Sequence, residues 1–318
     1  MPRVFGLRLT LPASLLVLVA ALAAVDGTWL ALGGFRLDSG AFLCLGLLAA
    51  LLFMGAHFYR NLRPDPRLAA MLFGAGFLCI FSCEASVLNY LLLTKAGTRI
   101  DMPLAELDRA IGFDWPAAMR WMAHHPHLNA LAFIAYSSML PQVALSTVVL
   151  AAIDADRVYR ACMALALSAL LCIAIWAFAP SFGAFSVYPL PDVPVNLALD
   201  SSYAQELVRL LKDGPGLISP RDAKGLIGFP SYHAAMALLA IWYLRDVKIL
   251  RWPALILNLA VLLATPVQGG HHAVDVLAAF PVAALAVFLA SHMGGAAKFP
   301  VMVNKPSKAA ELLPTAAE

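Results

Sequence analysis

Two short segments hold most of the reactive side chains in an otherwise apolar chain: Gly228-Phe229-Pro230-Ser231-Tyr232-His233 and Gly269-Gly270-His271-His272-Ala273-Val274-Asp275. His271 and Asp275 stand at i and i+4, so on a helix they share a face and the carboxylate can accept a hydrogen bond from the imidazole. Such a carboxylate fixes the ring's tautomer and stabilises its cation, which aims the other ring nitrogen outward as nucleophile or base. His272, about 100° round the helix, cannot share that geometry. Pro230 and Ser231 suit a helix start with Ser231 as the cap. That puts His233 in the first turn, where free backbone N–H groups attract anions. One histidine to attack, one to protonate a leaving oxygen, an aspartate behind the attacker and a helix N-terminus for an oxyanion describe phosphoryl transfer through a phosphohistidine. That chemistry calls for no metal and no cofactor. For any one of these histidines alone, an interfacial residue satisfied by headgroups and water is the plainer reading; the joint arrangement argues for chemistry.

The elements that must position these groups are membrane helices. Of 318 residues, 62% are hydrophobic and only 13% charged, with a mean hydropathy of +0.80. A soluble domain carries about a quarter charged residues, so a water-soluble globule is excluded. Lys and Arg total 22 against 19 Asp and Glu, with no basic block, which leaves no case for a nucleic-acid partner. The five cysteines all sit in apolar runs and read as packing residues. Apolar stretches near 11–32, 41–59, 68–94, 128–151, 161–180, 231–245, 252–268 and 271–291 predict an all-α polytopic bundle of about eight transmembrane helices. The sixth and seventh form a short hairpin that crosses and returns, which brings His233 and His271 to the same face.

Arg and Lys in the short loops put both termini on the cytoplasmic side and residues 95–127, 181–230 and 268–271 outside. The expected location is the plasma (inner) membrane, with the active site facing the outside or periplasm. Arg3, Arg8, the first apolar run and Ala21-Leu22-Ala23-Ala24 also resemble a secretory signal, whose cleavage would leave seven spans. The expected division is 1–95 for about three N-terminal helices, 96–292 for the catalytic membrane domain and 293–318 for a cytoplasmic tail.

At these residues the chain resembles the type-2 phosphatidic acid phosphatase superfamily, and more narrowly its inositolphosphorylceramide synthase-like branch. Pro230, Ser231 and His233 match the superfamily's Pro-Ser-x-His motif, and His271 and Asp275 match its His-x-x-x-Asp motif. Gly269-Gly270, Gly225-Leu226-Ile227-Gly228-Phe229, the stretch Leu107-Asp108-Arg109-Ala110-Ile111-Gly112-Phe113-Asp114-Trp115, and Tyr136, Pro141 and Gln142 are typical of that branch. The likeness runs from about residue 100 to 290. It implies a six-helix core with His271 as nucleophile, Asp275 as its orienting partner and His233 as general acid. The partners it implies are a lipid phosphate or phospholipid and the bilayer.

The superfamily's first motif, a Lys followed seven residues later by Arg-Pro, is absent from the outer face, and Ala264-Thr265 stands where Ser-Arg is usual. Substitute cations are available in Arg209, Lys212, Arg221 and Lys224. Arg209, Lys212 and Lys224 are the phosphate-binding candidates, with Ser231 and Gln268 as neutral donors; a solvated loop cation is an equal reading for each. Asp26, Glu84 and Asn89, within the N-terminal spans, are expected to pair between helices. His124, His125 and His127, with Trp115, Pro116 and Trp121, suggest a helix lying in the membrane interface. The same histidine triad serves hydrolysis and transfer alike, so a phosphatase and a synthase-like phosphotransferase both stand. A transporter or scaffold is the reading of another class.

Overall fold

The computed structural model describes residues 3–4, 7–8, 10–95, 97–188, 196–198, 209–210, 212–214, 216–221 and 225–293. Among the described residues, eleven α-helices carry the fold: α1 (Leu11–Gly33), α2 (Ser39–Asn61), α3 (Pro66–Leu93), α4 (Asp101–Ala110), α5 (Trp115–Ala123), α6 (Pro126–Ser137), α7 (Met139–Ile153), α8 (Ala155–Phe178), α9 (Tyr232–Leu244), α10 (Arg251–Gln268) and α11 (Ala273–His292). Pro12, Pro66, Pro116 and Pro126 sit at the first or second positions of α1, α3, α5 and α6, where a missing N–H costs nothing. Asp38, Asp65, Asp114 and Asp154 cap α2, α3, α5 and α8 by accepting from first-turn N–H groups.

Five helices, α1, α2, α3, α8 and α11, are long and apolar enough to cross a membrane, and α6 with α7 makes a sixth candidate bent by 47°. The protein is an all-α polytopic membrane bundle. The fourth expected span is thus a broken one, interrupted at Ser138. The hairpin helices α9 and α10 have 13 and 18 residues. At 1.5 Å per residue α9 is about 20 Å long, short of a ~30 Å hydrocarbon core.

Helix α8 lies at the centre and packs on α1, α3, α7, α9 and α11. Its buried face is built of small residues, among them Cys162, Ala164, Ala166, Ala169 and Cys172, which let neighbouring backbones come close. Asp26 of α1, 2% exposed, faces Glu84 across the α1–α3 interface. Four two-residue strands complete the described chain: β1 (Arg3–Val4), β2 (Leu7–Arg8), β3 (Arg36–Leu37) and β4 (Leu217–Ile218). β3 and β4 pair in parallel, and beside them Asp38 accepts from the Ser219 hydroxyl at 3.0 Å. The loop after α1 is therefore strapped to the loop before α9.

Candidate active site

Three loop segments, 181–184, 228–231 and 269–275, meet at the site, and two buried carboxylates of α4 pin them. Asp101 accepts through Oδ1 from the Ser181 hydroxyl (2.9 Å) and the Phe182 N–H (2.7 Å), while Oδ2 is paired with Arg99 at 2.8 Å. The Ser181 carbonyl accepts in turn from the Trp176 indole (3.1 Å) and from the Gly228 N–H (3.0 Å). The two strands run so close at Gly228 that a Cβ there would collide with the Ser181 carbonyl oxygen. The Gly228 carbonyl is left pointing at His271 Nδ1, 3.0 Å away.

Asp108, 1% exposed, serves the first turn of α11, where N–H groups have no helical acceptor. Its Oδ2 accepts from the Ala273 N–H and its Oδ1 from the Val274 N–H, each at 3.0 Å. The same Oδ2 faces His272 Nδ1 at 3.3 Å. A carboxylate from a distant helix thus caps α11 and complements the positive end of its dipole. His272 has no exposed surface, and its Nε2 has no hydrogen-bond partner among the described residues.

His271 meets Asp275 by a route other than the expected helix face. α11 begins at Ala273, His272 is its N-cap, and His271 lies just before the helix. Asp275, in the first turn, reaches back so that Oδ2 accepts from the His272 N–H (2.9 Å) and from His271 Nδ1 (3.1 Å). Gly270 turns the chain into this approach with φ +64°, and a side chain there would run into the Phe185 ring. Both neighbours of Nδ1, the Asp275 carboxylate and the Gly228 carbonyl, are acceptors, so Nδ1 carries the proton and Nε2 keeps its lone pair.

Ser231 is the N-cap of α9, as its sequence position predicts, accepting from the Ala234 N–H at 3.4 Å. Its own N–H donates to the Asp275 carbonyl (3.1 Å), and its hydroxyl lies 3.3 Å from His271 Nε2. Two residues on, the His233 ring stacks on Tyr136, with centroids 4.3 Å apart and planes 8° from parallel. His233 and His271 both line a cavity of about 830 Å³ that extends between α3, α7, α8 and α9.

Two histidines, one of them held by a buried carboxylate, thus line a mostly apolar cavity. The family model described as the PAP2 superfamily matches residues 102–289, more than half of the chain. The chain belongs to the PAP2 superfamily. It is accordingly an integral-membrane enzyme of the phosphatase type, acting on phosphate esters of lipids. No curated protein and no solved structure matches it. The PAP2 match begins within α4 and ends in α11, so it takes in Asp108, Ser231, both histidines and Asp275 and leaves out α1–α3.

Of the remaining expected site residues, those described are not among the residues that line the cavity. In this PAP2 chain Gln268 is fully buried, donates to Asn129 Oδ1 (2.6 Å) and accepts from the Ala198 N–H (3.0 Å). Both ends of its amide are committed, and it is not among the cavity's lining residues. Arg209 and Lys212 are exposed and likewise absent from the lining, and Lys224 lies outside the described residues. Among the described residues, Arg99 lies over the ring of Phe182, which lines the cavity, at 4.8 Å. Trp115 is not an interface anchor: it is 1% exposed, and its indole donates to the Pro266 carbonyl at 2.9 Å. Trp121 is half exposed and stacks on His125. Asp101 and Tyr136 join Asp108 as residues the motifs give no role. Asp108 and Tyr136 stand in stretches typical of the branch, but their partners are far away in sequence.

Proposed function

We propose that this enzyme cleaves or transfers the phosphate of a lipid phosphate ester through a phosphohistidine on His271. Nε2 attacks phosphorus in line, the P–O bond breaks with its electron pair going to the leaving oxygen, and His233 delivers a proton to that oxygen. His233, now neutral, takes a proton from water or an alcohol, whose oxygen attacks phosphorus and releases His271. Asp275 stabilises the imidazolium that exists while Nε2 is bonded to phosphorus. The first-turn N–H groups of α9 are the donors that suit the developing charge on the phosphoryl oxygens. The observation that carries the reading is the pair of acceptors on His271 Nδ1, Asp275 Oδ2 and the Gly228 carbonyl. They fix the tautomer a nucleophilic Nε2 requires, at a cavity that His233 also lines.

The positive charge of the short loops supports a site on the outer face with both termini cytoplasmic. The Gly269-Gly270 and Gly225–Gly228 segments, typical of the inositolphosphorylceramide synthase-like branch, support a lipid substrate that enters sideways from the bilayer. The test is purified protein assayed against lipid phosphates and phosphodiesters, with and without alcohol acceptors, beside His271→Ala. Expected are phosphate release by the wild type, none by His271→Ala, and an acid-labile, alkali-stable phosphoenzyme on rapid quenching. Phosphoryl transfer to added alcohol would select the synthase-like reaction over hydrolysis. A His271→Ala variant that releases phosphate at the wild-type rate sinks the proposal, and a wild type that releases none favours a transporter or scaffold.

A further inference from the structure

Tyr136 of α6 lines the cavity together with His233, Gly269 and His271, yet no step assigned to the histidines uses it. Its ring lies flat on His233, with 4.3 Å between centroids. Its hydroxyl end adjoins the nucleophile: a Cβ at Gly269 would stand 2.6 Å from the Tyr136 oxygen and 2.9 Å from His271 Cδ2. Cδ2 is bonded to Nε2. The hydroxyl and the reactive edge of the imidazole are therefore kept apart by no more than the room of one methyl group, and Gly269 leaves that room open.

The hydroxyl is uncommitted. It makes no hydrogen bond among the described residues, and it is not one of the side-chain atoms buried without a partner. Tyr136 is 8% exposed and faces the cavity. By contrast Tyr232, the other phenol in the lining, donates to the Leu165 carbonyl at 3.2 Å. The place of Tyr136 is fixed by the break between α6 and α7. Ser138 donates to the Ala135 carbonyl at 2.6 Å and accepts from Gln142 at 2.9 Å, and Gln142 accepts in turn from Asn258 at 2.8 Å. The 47° bend is thus braced against α10, the helix that ends at Gly269.

Phosphoryl transfer spreads charge over the equatorial oxygens, and donors already aimed at that charge lower the barrier. Where the superfamily usually carries Ser-Arg, this chain has Ala264-Thr265, which holds no cation, and the Thr265 hydroxyl is committed to the Val261 carbonyl at 2.7 Å. We propose that Tyr136 is a catalytic residue whose hydroxyl donates to a phosphoryl oxygen while phosphorus is bonded to His271 Nε2. The phenol keeps its proton throughout; it stabilises charge and transfers nothing. Its ring, stacked on His233, also holds the acid in place. The inference rests on the phosphate-ester reading of the same site, and the experiment separates the two.

The full-length protein in detergent is given an alkyl lipid phosphate and an aryl phosphate, as wild type and as Tyr136→Phe. Phenylalanine keeps the ring on His233 and removes only an oxygen without a hydrogen bond, so the melting temperature should not change. Loss of one oxyanion donor lowers kcat by about 10²- to 10³-fold. Tyr136→Phe should show that fall for both substrates alike, since the phosphoryl oxygens are common to them, with KM within about threefold of wild type. Vanadate, a mimic of five-coordinate phosphorus, should inhibit the variant more weakly by a comparable factor. A Tyr136→Phe protein within about threefold of wild type in kcat, or with unchanged vanadate inhibition, overturns the role of Tyr136 alone. So does slowing confined to the alkyl phosphate, which would place the effect in His233, and so does failure to fold, which would make the hydroxyl structural. A wild type that releases phosphate from neither substrate overturns the function itself.

Discussion

Replacing Asp275 by asparagine isolates how much of the nucleophile's power comes from charge and how much from geometry. Asp275 has no exposed surface, and its Oδ2 accepts from the His272 N–H at 2.9 Å and from His271 Nδ1 at 3.1 Å. Asparagine with its oxygen in the place of Oδ2 can still accept from both donors, and its NH₂ replaces Oδ1, which has no hydrogen-bond partner among the described residues. The change removes the charge that stabilises the imidazolium formed when Nε2 bonds to phosphorus. A hydrogen bond to a charged group contributes about 1.5–3 kcal/mol, and each 1.36 kcal/mol is a factor of ten, so kcat should fall about 10- to 150-fold. The fall should stop well short of the ~10⁴-fold that follows when a catalytic histidine is turned into the wrong tautomer. The reason is the Gly228 carbonyl, which still accepts from Nδ1 at 3.0 Å after the substitution and keeps the lone pair on Nε2. Single-turnover phosphate release from a short-chain lipid phosphate measures the effect, with a melting curve in the same detergent to show an intact fold. A folded Asp275→Asn protein within about threefold of wild type refutes the stabilising role assigned to the charge. A fall of ~10⁴ or more refutes the claim that the backbone holds the tautomer.

Four further outcomes are expected. His233→Gln should slow an alkyl phosphate by ~10²–10⁴ and an aryl phosphate, whose leaving oxygen needs no proton, far less; equal slowing of both would remove His233 as the acid. Asp108→Ala orphans the Ala273 and Val274 N–H groups at about 1–3 kcal/mol each, so unfolding in detergent should reveal a loss of roughly 2–6 kcal/mol, against a much smaller loss for Asp108→Asn. Gly270→Ala combines left-handed strain with a clash on Phe185 and should destabilise by about 2–5 kcal/mol, with phosphate release lost; a stable, active variant would contradict the described turn. The Ala41 N–H and the Ser219 hydroxyl hold the Asp38 carboxyl below the ordinary carboxylate range. A depressed folded pKa means stability present above the unfolded value of about 3.9 and lost as pH falls through the folded one. Hydrogen exchange at residues 216–221 should therefore quicken only below pH ~4, and already at pH 7 in Asp38→Asn.

The spans are the most legible feature, because twenty apolar residues between charged breaks have few other uses: α1 at Leu11–Gly33 and α2 at Ser39–Asn61 lie within two residues of where hydropathy puts them. The break at Ser138 is invisible to the same reasoning, since the run stays apolar through it. His271 and Asp275 are legible as partners, but the spacing alone implies a helical pair, whereas the contact is made across the start of a helix that Gly270 delays by two residues. Asp101 and Asp108 look like solvated acids on an amphipathic helix; their acceptor roles exist only once Ser181 and Ala273 are brought to them. Gln268 is likewise committed only once Asn129 and Ala198 are brought to it. Hydropathy registers a polar atom's presence, and only the fold shows whether another atom has already satisfied it.

The pairing of β3 with β4 has a consequence for how the enzyme is made. Arg36–Leu37 leaves the ribosome early and Leu217–Ile218 late, and contacts between such distant stretches form last because the intervening chain must first be ordered. The α3 wall is therefore in the bilayer well before the loops that complete the pocket, and the strap closes over a nearly finished chain. An unfinished product has the α3 wall of the cavity but neither His233 nor His271, which separates insertion into the membrane from completion of the site.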